Sequence, residues 1–267
     1  MPLFHLLLVA IIQGVTEFLP VSSSGHLILL PNLAGLDDQG QVIDVSVHVG
    51  TLFAVVLYFW RDVGLAILGL PRLLTGRVDT PGSCLAMLLL AASIPVVALG
   101  LLLHLTGLDA EMRSIKVIGW AMLVFGIVLY WADQAGPGRK KAEDWNLQDA
   151  MVIGVWQAIA LIPGTSRSGI TITGARFLGY TRRDAARLSM LMSIPTIIAS
   201  GVLLGAESVV DANVSLLREG LIAAAMAFGA ALLALSVMMR LLNRVSFTPY
   251  VIYRIVLGIV LLVVAYR

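Results

Sequence analysis

The sequence predicts an all-α, polytopic membrane protein with six transmembrane helices and two re-entrant helical hairpins in an inverted-topology repeat. Three observations carry that prediction. Of 267 residues, 59% are hydrophobic and 13% charged, with a mean hydropathy of +0.94. A soluble domain is nearer half apolar and a quarter charged. The apolar runs are continuous, whereas transmembrane β-strands alternate apolar and polar residues. Finally, two apolar stretches too short to span are each broken by a polar tip. These are Q-G-V-T-E-F-L-P-V-S-S-S-G-H at 13–26 and P-G-T-S-R-S-G at 163–169. Broken backbone and ionisable groups at membrane depth are tolerated where protein or a wet cavity surrounds them, and they then usually mark function.

The first re-entrant hairpin is expected over 3–34. Residues 3–12 and 27–34 are apolar, but each falls short of the roughly 20 residues a span needs. Pro20 and Gly25 bracket three serines, which opposes an uninterrupted helix. The N-terminal run lacks a basic n-region and an A-x-A site, so it is expected to belong to the mature fold. A polar turn follows at 36–42. The first full span covers 43–60 and ends in the interfacial pair Tyr58 and Trp60. Residues 62–82, with Pro71, Arg72, Arg77 and Pro81, read as a loop. The second span covers 83–105, interrupted at Ser93 and Pro95. A short charged loop at 106–116 leads to the third span, 117–132, closed by Tyr130 and Trp131.

The second re-entrant hairpin is expected over 149–179, with its tip at 163–169. The basic segment T-R-R-D-A-A-R (181–187) precedes the fourth span, 188–205. The last two spans cover 220–239 and 249–266. Loops 61–82, 134–148, 176–187 and 240–248 hold twelve of the eighteen lysines and arginines. That side is therefore cytoplasmic, and both termini lie outside. The first hairpin then opens outward and the second inward. The chain reads as one membrane domain, 1–267, with a first repeat over 1–116 and a second over 117–267. S-I-P-V-V-A-L-G (93–100) against S-I-P-T-I-I-A-S-G (193–201) adds a weak internal match.

The net charge of +2 carries no nucleic-acid signature, and no nucleic-acid partner is expected. The lipid bilayer is the expected environment, and a homodimer is among the assemblies open to such a chain. Cys84, the single cysteine, excludes an intramolecular disulfide and reads as a small core residue.

The two tips carry the chemistry. Arg167 reads as the only basic residue deep within an apolar segment, and a guanidinium fork suits phosphate. Ser166, Ser168 and Thr171, with the amides of the turn at Gly164 and Thr165, complete an anion nest. The bland alternative makes Arg167 the structural partner of Glu17. Glu17 can ligate a hard divalent cation, with Gln13 one helical turn earlier supplying a carbonyl. Alternatively, Gln13 only bonds a neighbouring helix. His26 follows Ser23 by three residues and Ser22 by four, a spacing that shares a helix face, and beside these and Ser24 it can move a proton to or from a serine hydroxyl. Its alternative role is to cap the helix break. His48, with Asp44 one turn earlier to orient it, is a supporting candidate. His5 and His104 fall near interfaces and read as ordinary.

Together Q-G-V-T-E-F-L-P-V-S-S-S-G-H-L and P-G-T-S-R-S-G-I-T closely resemble the undecaprenyl-diphosphatase family of bacterial inner-membrane enzymes, also called bacitracin-resistance proteins. The resemblance covers essentially the whole chain. It implies dephosphorylation of undecaprenyl diphosphate, the precursor of the lipid carrier of cell-wall synthesis. It also implies a divalent cation (Mg²⁺ or Ca²⁺), a site reached from the periplasmic side, and a fold of two re-entrant hairpins. The family's first motif has Glu or Gln, three residues, then Glu; here it is Gln13 and Glu17. By the resemblance Ser23 and His26 match the catalytic serine and histidine, and Ser166, Arg167 and Thr171 match phosphate-binding positions. The type-2 phosphatidic acid phosphatases also use P-S-G-H and S-R elements. They need a second histidine after S-R and an upstream K-x6-R-P, and neither occurs here. A lipid-phosphate flippase built on the same anion site is the rival reading, because transporters share broken helices at the midplane.

Overall fold

The computed structural model describes residues 3–23, 25–27, 40–108, 112, 114–208 and 214–267. Among these residues every regular element is helical. The helices are α1 (Leu3–Thr16), α2 (Gln41–Tyr58), α3 (Trp60–Leu74), α4 (Pro81–Thr106), α5 (Ile115–Ala135), α6 (Leu147–Ala158), α7 (Arg167–Phe177), α8 (Arg182–Ser208), α9 (Val214–Leu241) and α10 (Thr248–Tyr266). Six of them, namely α2, α4, α5, α8, α9 and α10, are long and apolar enough to cross a membrane. No more than 44% of any of these spans is buried inside the protein. Their outward faces carry exposed Phe53, Ile94, Ile127, Leu233 and Val256. Such faces suit lipid, so the chain is a multi-pass membrane protein.

The expected spans match these helices to within a few residues. The expected interruption at Ser93 and Pro95 is a correction: α4 continues through both, as α8 does through Pro195. Ser93 Oγ instead donates to the carbonyl of Leu89 at 2.8 Å, inside an unbroken α4. The expected loop at 62–82 is a correction. Residues Trp60–Leu74 form a helix, because Ala66 and Gly69 lie three apart on one face and press that face onto α4. Pro71, taken as a loop signal, sits in its last turn. Cys84 is half-buried and free. The second half of the first expected hairpin, beyond Leu27, lies outside the described residues, as do most of the turn at 36–42 and Asp109, Glu111 and Arg113.

Small residues set the packing. Apolar side chains gain little by leaving lipid for a helix interface, so association relies on close backbone approach. Gly14 on α1 abuts Ala227 and Ala230 of α9, Gly50 on α2 abuts Ala224 of α9, and Gly154 on α6 abuts Ala92 of α4. Helices α6 and α7 fold back antiparallel, with Trp156 against Gly174 and the Tyr180 hydroxyl donating to Asp149 Oδ2 at 2.6 Å. Burial and that carboxylate push the Tyr180 phenol upward, so it stays a donor. At the same end Asp133 is buried. It forms an ion pair with Arg176, whose Nε stands 3.2 Å from Oδ1, and accepts from Arg182 Nε at 2.8 Å and the Phe247 amide at 3.2 Å. This cluster ties the far end of α7 to α5, α8 and the start of α10, leaving the opposite end of α7 to face the interior.

A Cβ at Gly50 would stand 2.2 Å from the Ala224 carbonyl oxygen, whereas one at Gly64 meets nothing within 4 Å. Gly50→Ala is expected to destabilise the detergent-solubilised protein by about 1–3 kcal/mol. Gly64→Ala is expected to leave the thermal melting midpoint unlowered.

Candidate functional site

Helix α1 ends at Thr16, and residues 17–21 turn before helix resumes at Ser23. The second tip does the same between Ile162 and Ser166, and α7 begins at Arg167 itself. Among the described residues, the two non-glycine positions with positive φ are Ser22 and Ser166, both at 72°. Side chains pay strain there, and such strain clusters at functional sites. Each serine introduces a helical turn, and Ser166 caps its own: its Oγ accepts from the Gly169 amide at 3.2 Å. The amides of Arg167 and Ser168 head a first turn that has no intrahelical acceptor for them.

The tips meet through an ion pair. Arg167 Nη2 donates to Glu17 Oε1 at 2.6 Å. Glu17 Oε2 accepts from Gln13 Nε2 at 2.8 Å and Ser23 Oγ at 3.1 Å, and His48 Nε2 stands 3.8 Å away. The Glu17 side chain is 6% exposed and that of Arg167 15%. Around them lies a cavity of about 190 Å³ lined by Glu17, Ser22, Ser23, His48, Ser166 and Arg167, with Ala160 and residues of α8 closing it. Of the seven buried side-chain atoms without a hydrogen-bond partner among the described residues, two belong to this ion pair and its neighbour: Arg167 Nη1, a donor, and Gln13 Oε1, an acceptor. The first suits an anion and the second a cation.

Other expected site residues hold the tip together rather than line the cavity. Ser168 Oγ donates to the Leu19 carbonyl at 3.0 Å, a direct bond from one tip to the other. Thr171 pairs with Ser189 on α8 at 2.6 Å. Thr165 is fully buried. Gly164 has φ +90, and a Cβ there would stand 2.5 Å from the Ile118 carbonyl oxygen, so only glycine fits. His26 is not among the cavity's lining residues. Its Nδ1 donates to the Ser22 carbonyl at 2.7 Å, its Nε2 accepts from the Tyr253 hydroxyl at 2.5 Å, and the two rings stack at 5.6 Å. His48 is oriented by Asp44, but through the backbone carbonyl, at 2.7 Å from Nδ1. Ser24 lies outside the described residues.

The expectation that Arg167 is the only deeply placed basic residue is overturned. Arg254, in α10, has no exposed surface. Its guanidinium donates to the carbonyls of Gly164 at 3.1 Å and Pro20 at 3.5 Å, and to Ala121 and Met122 at 3.4 Å. One side chain thus binds both tips and α5. The signal was present, since a lone arginine inside an apolar span is costly unless it has work to do. It was passed over because it lies near the start of its span. Thr196 and Ser200 on α8, also missed, line the cavity. Each hydroxyl bonds a carbonyl of its own helix, of Met192 and Ile197 respectively.

Over residues 6–260 the chain matches the family described as bacitracin resistance protein BacA. The chain belongs to the BacA family. Its relatives include the undecaprenyl-diphosphatase of Ruegeria pomeroyi, 70% identical over 266 residues, and that of Dinoroseobacter shibae, 68% identical, each alignment covering both chains in full. A more distant relative, the undecaprenyl-diphosphatase of Teredinibacter turnerae, is 46% identical over 98% of this chain and 99% of its own. Both polar tips fall inside the BacA match.

For this BacA-family chain, Arg254→Met is expected to lower thermal stability by at least about 2 kcal/mol, because the Pro20 and Gly164 carbonyls lose charged donors. Lys at 254 keeps the charge but not the planar fork and is expected to restore little of it. Melting of the purified protein in detergent reads both.

Proposed function

We propose that this protein hydrolyses undecaprenyl diphosphate to undecaprenyl phosphate and inorganic phosphate, recycling the lipid carrier of cell-wall synthesis and conferring bacitracin resistance. The observation that carries the reading is the Glu17–Arg167 pair at 2.6 Å, which brings two distant polar tips to one cavity. The names of its close relatives give the substrate.

In the proposed mechanism Arg167 clamps the terminal phosphate with its free Nη1 and the Nη2 that Glu17 holds at rest. Ser166 and the α7 amides add donors at a helix N-terminus, where an anion is favoured. Ser23 either attacks the terminal phosphorus or orients the water that does; at rest its hydroxyl is positioned by donating to Glu17 Oε2 at 3.1 Å. Overall, a water oxygen bonds to the terminal phosphorus, the bridging P–O bond breaks, and the lipid monophosphate leaves with a proton. His26 moves that proton after its ring turns from Tyr253 towards the cavity. Glu17 and the orphaned Gln13 Oε1 fit a divalent cation, Mg²⁺ or Ca²⁺. Such a cation would neutralise the charge of the diphosphate.

We also read the helix pairs α1 with its resumption at Ser23, and α6–α7, as re-entrant hairpins in an inverted repeat within one domain over 1–267. The matching φ of Ser22 and Ser166 supports it, as does S-S-S-G at 22–25 against S-R-S-G at 166–169. Packing agrees: α1 meets α9 as α6 meets α4, and α2 meets α9 as α8 meets α4. That pairing groups α5 with the first half, which moves the boundary from 116 to beyond Ala135. Basic loops on one side support an inner-membrane protein whose site opens to the periplasm.

Phosphate release from undecaprenyl diphosphate by the detergent-solubilised protein tests the reading. Glu17→Ala and Arg167→Ala are expected to lower it at least 10²–10³-fold, and a chelator to stop it until Mg²⁺ or Ca²⁺ is returned. Release at the wild-type rate in either variant would remove the site as drawn. A protein that only flips the lipid would release no phosphate in detergent.

A further inference from the structure

We infer that His48 is a third protein ligand of the cation assigned above to Glu17 and Gln13, and that it turns the site towards transition-metal ions such as Mn²⁺ and away from Ca²⁺. The inference rests on that proposed cation site. It concerns a residue outside both polar tips, carried on α2.

The geometry fixes what His48 offers. A backbone carbonyl only accepts, so the 2.7 Å contact with Asp44 O puts the ring proton of the neutral imidazole on Nδ1. That leaves Nε2 with its lone pair, and Glu17 Oε2 stands 3.8 Å from it. Two acceptors this close make no hydrogen bond with each other, and a cation between them would satisfy both. An imidazole whose other nitrogen donates to a backbone carbonyl is the usual arrangement of a metal-binding histidine. Ligand atoms each about 2.1 Å from one cation stand at most about 4.2 Å apart. Nε2 and Oε2 therefore reach a shared cation with no movement of either helix.

The surrounding groups agree. Arg167 holds Oε1, while Oε2 accepts only from the Gln13 amide and the Ser23 hydroxyl, two neutral donors that a cation at Oε2 would replace or join. The Gln13 amide lies 2.8 Å from Oε2 and its oxygen is buried without a partner among the described residues. Rotating the amide by half a turn brings that oxygen to the carboxylate side, which only a cation would favour. One carboxylate, one amide oxygen and one imidazole make a weaker site for a hard cation than two carboxylates. The imidazole nitrogen compensates by favouring transition metals.

The test uses the full-length protein in detergent, without substrate. Mn²⁺ is titrated in, and its electron spin echo is examined for modulation by a coordinated imidazole nitrogen; Ca²⁺ affinity is measured by calorimetry. Wild type is expected to show the nitrogen coupling. His48→Gln is expected to lose it and to bind Mn²⁺ about 10–100-fold more weakly, with Ca²⁺ affinity within about twofold. Mn²⁺ that binds, is lost in Glu17→Gln, yet shows no nitrogen coupling overturns the role of His48 and leaves the Glu17 site standing. Wild type that binds no Mn²⁺ overturns the cation site and this inference together. Neither result depends on phosphate release, which tests the phosphatase reading separately.

Discussion

A carboxylate and a guanidinium 150 residues apart in sequence meet at 2.6 Å in the interior. Everything around the site depends on that contact. Removing two charges from water costs several kcal/mol each, and the loss is recovered only with close geometry and further hydrogen bonds. Glu17 gains those from Gln13 and Ser23. Arg167 keeps one nitrogen without a partner among the described residues. The pair is therefore held in place but not saturated. A phosphate oxygen can take the free donor without first undoing the assembly.

The scaffold keeps the two tips in register by different means. Arg254 binds a carbonyl from each tip, and Ser168 reaches across to Leu19. Gly14 and Gly154 let the helices leading to the tips approach α9 and α4 at backbone distance. The Asp133–Arg176–Arg182 cluster anchors the far end of α7. The strained φ of Ser22 and Ser166 is sustained because these contacts over-determine the backbone on either side. In the proposed reading, the backbone amides at the start of α7 are already set in place for a phosphate before it arrives.

Much of this was legible in the sequence. Six long apolar runs gave the six spans, and Pro20, Gly25 and P-G-T-S-R-S-G marked both breaks. Glu17, Arg167 and His48 were singled out from residue type and position, and Ser23 also from the family resemblance; the cavity brings all four together. What was missed has physical causes. Helix α3 was read as a loop because prolines and arginines outweighed a short buried face of Ala66 and Gly69. Arg254 was absorbed into a span because hydropathy averages hide one charge. Which groups line the cavity and which brace it was beyond sequence: Ser166 and Ser168 are two residues apart, yet only Ser166 faces the cavity. The resting position of His26 against Tyr253 depends on a partner 227 residues away.

The central claim is that the Glu17–Arg167 pair is a phosphate site and not merely a strut. Exchanging the two residues tests it most directly. The double variant Glu17→Arg, Arg167→Glu preserves an ion pair between the tips but moves the cation off the start of α7. Melting and phosphate release are measured on the same preparation. The account predicts a melting midpoint closer to wild type than either single variant, with phosphate release lost. A swapped protein that still releases phosphate near the wild-type rate would contradict it, because a strut works in either direction and a phosphate clamp does not.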